Sequence, residues 1–313
     1  MKVIIIEKTG GVENLSYTEM EQPVAGEKEL VIEVKAIGIN PVDNKVRMIE
    51  DVLHRICGEG YPAILGWDVA GVVSSVGPEV TAFKPGDKVF GMINFPGRGN
   101  AYAEYVLAPA DQLALMPANV SFEEAAATTL AALTALQVLE GKIGKGDRVL
   151  IHAGSGGVGH FAIQIAKDME AYVISTSSAK NKDFILGLGA DEHIDYKTQA
   201  FEEVVSDVDF VLDLIGGETT LRSLKVLKEG GSIVSLPSPI FSDEIMEEAK
   251  RKNIDLSNYM VSSSGEDMNT LKECVSEGML RVHISKSFGF NEMKDAHTEI
   301  ASGRTVGKVV VTV

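Results

Sequence analysis

The apolar positions of this chain change their spacing once. Up to about residue 120 they fall in short runs of β type, VIII at 3–6, LVIEVKAIGI at 30–39, VAGVVSSVG at 69–77 and KPGDKVFG at 84–91, separated by turn residues. This pattern predicts a compact, mainly β lobe, with Pro85 and Gly86 at the centre of a tight turn. From Ser121 the spacing becomes helical: Glu123 and Glu124 mark a helix start, and an Ala/Leu-rich stretch runs to Leu139. Strands and helices then alternate: strand 148–151, helix 157–169, strand 171–176, helix 180–188, strand 209–214, helix 221–228 and strand 232–236. Apolar strands alternating with helices at this spacing predict a parallel, doubly wound sheet, complete by its fourth strand. The tail breaks the alternation with a helix at 267–277, a strand near 282–285, a helix near 291–302 and a last strand, GKVVVTV. That strand is expected to return to the first lobe and bring the termini together.

The first strand of the alternating region leads into His152-Ala153-Gly154-Ser155-Gly156-Gly157-Val158-Gly159. Glycines at 154, 156 and 159 suit a tight turn, a close backbone approach to a pyrophosphate, and close packing of helix on strand. The helix that follows offers its N-terminal N–H groups to an anion. Gly154 to Gly159 are therefore the expected dinucleotide cradle. Twenty residues on, where NAD enzymes place an acid for the ribose 2′-hydroxyl, the chain reads Ser175-Thr176-Ser177-Ser178-Ala179-Lys180-Asn181-Lys182. No carboxylate stands there before Asp183, so a 2′-phosphate is welcome and NADP is favoured over NAD. Thr176, Ser177, Ser178, Lys180 and Lys182 are its candidate ligands, with the choice of lysine open and a solvated helix-capping loop as the alternative.

At 313 residues the chain has room for two lobes. A net charge of −16 disfavours a nucleic-acid partner, which needs clustered Lys and Arg. No apolar run reaches the length of a membrane span, the N-terminal run is too short for a signal peptide, and a cytoplasmic location is expected. Cys57 and Cys274 are the only cysteines, too few for a disulfide framework or a four-thiolate zinc site, and both are expected as reduced thiols.

Several motifs, taken together, carry a resemblance to a known family: Gly38-Ile39-Asn40-Pro41-Val42-Asp43, Leu65-Gly66-Trp67-Asp68-Val69-Ala70-Gly71, Lys84-Pro85-Gly86-Asp87, the glycine loop, Asp213-Leu214-Ile215-Gly216-Gly217 and Gly307-Lys308-Val309-Val310-Val311. Over essentially its whole length the chain resembles the medium-chain dehydrogenase/reductase superfamily. The resemblance implies a GroES-like catalytic domain at 1–121 and 265–313 and a Rossmann NADP-binding domain at 122–264. Zinc-dependent members carry Cys where this chain has Asn40 and Gly-His-Glu where it has Gly66-Trp67-Asp68. The departure is similar to the zinc-independent quinone oxidoreductase, or zeta-crystallin-like, branch. That branch implies NADPH-dependent reduction of a small planar quinone or enone, no metal, and a homodimer.

The resemblance also assigns residues. It places Asn40 near the nicotinamide, leaves Asp43 as a catalytic or loop-orienting group, and puts Asp68 at the zinc-family glutamate position, with a backbone acceptor role as the equal alternative. Thr134 matches a threonine on the nicotinamide side, against a helix-interior back-bond. Tyr196 is implied at the adenosine phosphate, or as an aromatic packing there. Ile215, Gly216, Leu236 and Pro237 lie at carboxyl ends of strands, where open-sheet ligands bind. Tyr61, Phe95 and Tyr102 are expected to wall an apolar substrate pocket. His152 reads as a satisfied structural histidine. Two other functions stay open: an enoyl or alkenal C=C reductase for which quinones are incidental, and an NADPH-binding redox sensor without turnover.

Overall fold

The computed structural model describes residues 1–237 and 240–313, which form two contact-dense units. The first comprises Met1–Leu133, Val261–Gly278 and Val282–Val313; the second comprises Thr134–Met260 and Met279–Arg281. The helix Phe122–Leu139 carries the chain from one to the other.

In the first unit the strand Glu29–Ile39 is the spine of a seven-stranded sheet. It is buried except at Glu29, Glu33 and Lys35, its three charged positions. The final strand Lys308–Thr312 pairs with it antiparallel, Val309 opposite Ile39, and the strand Asp68–Val76 lies on its other side, Gly38 opposite Asp68. Three residues distant in sequence, Asn40, Asp68 and Lys308, therefore meet at one end of three adjacent strands. The lobe is less purely β than its pattern suggested, because helices Pro41–Met48 and Glu50–Cys57 follow the spine strand directly. The first of these turns Asp43, Asn44 and Arg47 inward beside Val46, so its polar residues sit where an apolar stripe would have announced a helix. The Lys84–Asp87 turn forms, with Gly86 at φ 91° and Asp87 N–H donating to Lys84 C=O.

The second unit holds a parallel sheet of six strands rather than four. In spatial order they are Glu192–Asp195, Tyr172–Ser177, Arg148–Ile151, Val208–Asp213, Leu227–Ser235 and Asp255–Ser257, the 3-2-1-4-5-6 order of a Rossmann sheet. The two strands the pattern missed are the edges, EHID and DLS, short and polar because an edge strand buries little. Leu150, Ile174, Val211, Leu224 and Ile233 form the core between sheet and helices. The tail strand begins two residues later than expected, at Ile284–Gly289, and pairs parallel with Lys308–Thr312 in the first unit. Among the described residues no helix is long and apolar enough to cross a membrane.

Candidate active site

The glycine loop joins strand Arg148–Ile151 to helix Gly157–Asp168, at the point where the sheet reverses its strand order. The glycines at 154, 156 and 159 divide the work. A Cβ on Gly154 would stand 1.9 Å from Ser175 Oγ, and one on Gly159 would stand 2.5 Å from Ala153 C=O and 2.7 Å from Gly154 Cα. Those two glycines let loop, strand and helix close on one another. A Cβ on Gly156 would press on Ala153 C=O at 3.2 Å, a milder contact than the other two. First-turn N–H groups have no carbonyl partner within the helix and are available to an anion.

Thr176 is buried beneath the loop: its hydroxyl accepts Ala153 N–H at 3.2 Å and pairs with His152 Nδ1 at 3.1 Å. It shapes the cradle from below. His152 bridges Thr176 and Ser223, stacks edge-on to Phe201, and is pushed down to about 4 by burial, as suits a neutral structural ring. Ser177 Oγ pairs with His193 Nε2 at 2.9 Å, and Asn181, whose amide carries no such signal in the sequence, donates to Ser155 Oγ at 2.9 Å. Lys180, Lys182 and Tyr196 are exposed around this edge, with Ser178 half-buried. One carboxylate does stand here, Asp195, but it accepts the Lys197 N–H and the Thr198 hydroxyl, and hydrogen bonding to backbone N–H groups holds it below its ordinary range.

Ile215 and Gly216 form the turn after strand Val208–Asp213, with Ile215 exposed and Gly216 at φ 83°. Their N–H groups both donate to Asp213 Oδ1 at 2.9 Å, while Asp213 Oδ2 takes the Thr220 and Ser235 hydroxyls. Asp213, quoted in the family motif but not as a site residue, is what fixes this turn. Leu236 and Pro237 follow the next strand, half-buried, Leu236 N–H donating to Asp213 C=O. Thr134 is buried on the linking helix, at the first residue of the second unit.

In the first unit Asn40, Asp43, Asp68 and Tyr102 belong to one buried polar network. Asn40 Nδ2 donates to Asp68 Oδ2 at 2.8 Å, and Asn40 N–H donates to Asp43 Oδ2 at 2.7 Å. Lys308 donates to Asn40 Oδ1 and stands 3.5 Å from Asp68 Oδ2; Asp68 Oδ1 accepts Leu130 N–H at 3.0 Å. Asp68 is thus both a backbone acceptor and half of an ion pair. Tyr102, expected at a pocket wall, is fully enclosed: its hydroxyl lies 2.9 Å from both Asp43 Oδ1 and His297 Nε2. Asn44 and Arg47 bond the far side of the His297 ring.

Two carboxylates and one ammonium share this enclosure. Asp43, the one the ammonium does not touch, is pushed up to about 7, first by burial and then by the nearby Asp68. Burial likewise pulls the Lys308 ammonium down, opposed by Asp68 and Asp43, and takes His297 down to about 3. Lys308 and His297 carried no chemical signal in the sequence beyond the GKVVV motif; the strand pairing of that motif is what delivers the ammonium. Phe95 packs edge-on to Trp67 with ring centroids 5.1 Å apart, and Trp67 Nε1 donates to Gly97 C=O at 2.8 Å. Tyr61 is half-buried, and its enclosed hydroxyl oxygen has no hydrogen-bond partner among the described residues. Among those residues no three His, Cys, Asp or Glu side chains come together as a metal set.

A Rossmann sheet with its phosphate loop at the switch point, joined to a β-rich unit whose last strand is the chain's own C-terminus, defines a class. The chain belongs to the medium-chain dehydrogenase/reductase superfamily, in its quinone oxidoreductase branch, and is an oxidoreductase. Residues 26–118 match the alcohol dehydrogenase GroES-like domain and residues 188–311 the zinc-binding dehydrogenase domain. The 2-methylene-furan-3-one reductase of Solanum lycopersicum is 35% identical over 301 residues, spanning 92% of this chain and 73% of the relative. The quinone oxidoreductase of Coxiella burnetii superposes with a TM-score of 0.94 at 37% identity, covering 100% of this chain and 99% of that one. The Escherichia coli quinone oxidoreductase complexed with NADPH gives 0.88 at 29% identity, with 100% of both chains covered.

Proposed function

We propose that this protein is an NADPH-dependent, metal-free reductase of small planar quinones or α,β-unsaturated carbonyls. The observation that carries the cofactor half is the glycine loop at the sheet's switch point, tied through Asn181 Nδ2 and Ser155 Oγ at 2.9 Å to the segment Ser178–Lys182, which offers hydroxyls and lysines where an NAD enzyme needs a free carboxylate. Asp195, at the end of the edge strand Glu192–Asp195, is already engaged with the Lys197 N–H and Thr198. When bound, NADPH supplies the hydride. The glycine loop and helix N-terminus would hold its pyrophosphate, the Ser/Lys edge its 2′-phosphate, and the Asp213-braced turn at Ile215–Gly216 would meet its nicotinamide half.

On the substrate side the reading gives Asn40 the role of steadying the carbonyl oxygen as charge develops on it. Tyr61, with a buried hydroxyl in want of a partner, supplies a second donor. The zinc of related dehydrogenases has no suitable set of donors here. Asn40 offers an amide and Trp67 an indole, and the Asp68 carboxylate is already matched by an ammonium that a divalent ion would have to displace. Reduction of a C=C bond rather than a quinone is the second reading, favoured by the name of the Solanum relative. A cytoplasmic homodimer belongs to the same proposal, with size-exclusion chromatography its check.

The test is NADPH oxidation by a simple benzoquinone and by a small enone. Turnover with either supports the reading, and their ratio separates quinone from C=C reduction. NADPH binding with no turnover on either would leave the redox-sensor reading in its place.

A further inference from the structure

Lys308 is 2% exposed and stands at the first position of the last strand, where an apolar residue would be the ordinary occupant. Burying an ammonium there is costly unless it is paired and hydrogen-bonded. Its partners are three: Ile39 C=O at 3.4 Å, Asp68 Oδ2 at 3.5 Å and Asn40 Oδ1. Asp68 Oδ2 also accepts Asn40 Nδ2 at 2.8 Å, so the Asn40 amide lies between a cation and an anion. Its oxygen faces the ammonium and its nitrogen the carboxylate. The reverse orientation would set oxygen against carboxylate and NH2 against ammonium, putting like poles together at both ends. Amide orientation is ordinarily ambiguous between two states; here electrostatics leaves one.

We infer that Lys308 is a positioning residue: its ammonium, paired with Asp68, locks the Asn40 side chain in the single orientation that presents an N–H, rather than a C=O, to the substrate carbonyl. The inference rests on the functional reading above for what Asn40 faces, and on the network alone for how Asn40 is held. An amide has two N–H donors, and Asp68 takes one. The second is the one a developing oxyanion requires. A flipped amide would point a carbonyl dipole at that oxyanion and oppose the reaction. A buried charge is thus used to set the sign of a neutral group.

The test compares wild type, Lys308→Met, and the double variant Lys308→Met/Asp68→Asn, which restores the charge balance lost with the lysine. The first readout is the Asn40 side-chain amide in protein labelled with nitrogen-15 at asparagine, assigned by the loss of that signal in Asn40→Ser. Wild type should show one amide proton pair protected from solvent exchange. Any folded variant should show the pair lose protection or split into two. An unchanged pair in a folded variant overturns the inference. The second readout is kcat with benzoquinone and NADPH. Lys308→Met should fall about 100-fold, the low end of the scale for losing one oxyanion donor, with KM for NADPH within about two-fold of wild type. The double variant should regain thermal stability without regaining kcat. If kcat returns together with stability, Lys308 serves charge balance alone and the inference fails. Should the single variant not fold, the double variant carries both readouts. A wild type that turns over neither acceptor overturns the functional reading, and the amide signal still decides how Asn40 is held.

Discussion

Lys308 donates a hydrogen bond to the side-chain oxygen of Asn40 across 268 residues of sequence, inside the fully buried end of a β-sheet. Neither residue could hold that position alone: the ammonium needs Asp68 and Asn40 as partners, and the amide needs both charges to be fixed. The contact joins the start of the last strand to the residue that opens the helix Pro41–Met48, so that strand completes the buried polar network as well as the sheet.

Asp43 makes this network sensitive to pH in a direction opposite to that of most carboxylates. Its carboxyl rises from an ordinary 3.8 to about 7 on folding, so the folded protein keeps a proton that the unfolded chain gives up between those values. The Asp43 contribution to stability is therefore present at the acid end and lost as pH rises from about 4 to 7. Asp43→Asn removes that slope. Whatever its fixed cost, the variant should gain on wild type by up to about 1.4 kcal/mol per pH unit across the window, read from urea unfolding at several pH values. A stability difference that stays constant with pH would show that Asp43 does not titrate there.

The histidines work the other way. His152 and His297 are buried neutral, pushed to about 4 and about 3, against an ordinary 6.5. Unfolding releases them to take protons, so their contribution is complete above about 6.5 and is lost as pH falls toward 4 and 3. Acid unfolding of Asp43→Asn should consequently be steeper than that of wild type over this range. Replacing His297 by Gln should flatten it, as read by circular dichroism during acid titration.

Much of the second unit was legible because its chemistry is local. The glycine loop, its strand and its helix are contiguous, and each glycine's role follows from the absence of one atom. The first unit's site was legible only as motifs. Asn40 and Asp68 were visible as departures from the zinc pattern, but Lys308 and His297 reach them through pairing of distant strands and through a helix, Met293–Ala301, far along the chain. Tyr102 looked like a wall residue because an aromatic beside a glycine-rich loop carries no sign of the buried carboxylate it bonds. Helix Pro41–Met48 was hidden for the same reason, its inward face being charged.

Gly159 and Gly156 should respond differently to the same substitution. Gly159→Ala forces a Cβ to 2.5 Å of a backbone oxygen and should cost about 1–3 kcal/mol of stability. Gly156→Ala meets Ala153 C=O at 3.2 Å, so it should cost less stability than Gly159→Ala while NADPH affinity drops about 10-fold or more, because the added methyl would crowd the pyrophosphate. Equal losses of stability at both positions would contradict the cradle assignment. Nucleotide fluorescence titration and a thermal melt read the two quantities.

Charge reversal at the Ser/Lys edge separates the two nicotinamide cofactors. Lys180→Glu and Lys182→Glu should raise KM for NADPH, one of them by about 10-fold or more, and leave KM for NADH within about two-fold, since only the former carries the 2′-phosphate. The larger effect identifies the phosphate ligand. Parallel changes for both cofactors would place the lysines outside the phosphate site.

The most direct measurement is steady-state oxidation of NADPH and of NADH by a benzoquinone and by an enone, before and after exhaustive dialysis against a zinc chelator. The account predicts turnover with at least one acceptor, a higher kcat/KM for NADPH, and no loss on chelation. Absence of turnover with both acceptors, a preference for NADH, or activity lost to the chelator and restored by zinc would contradict it.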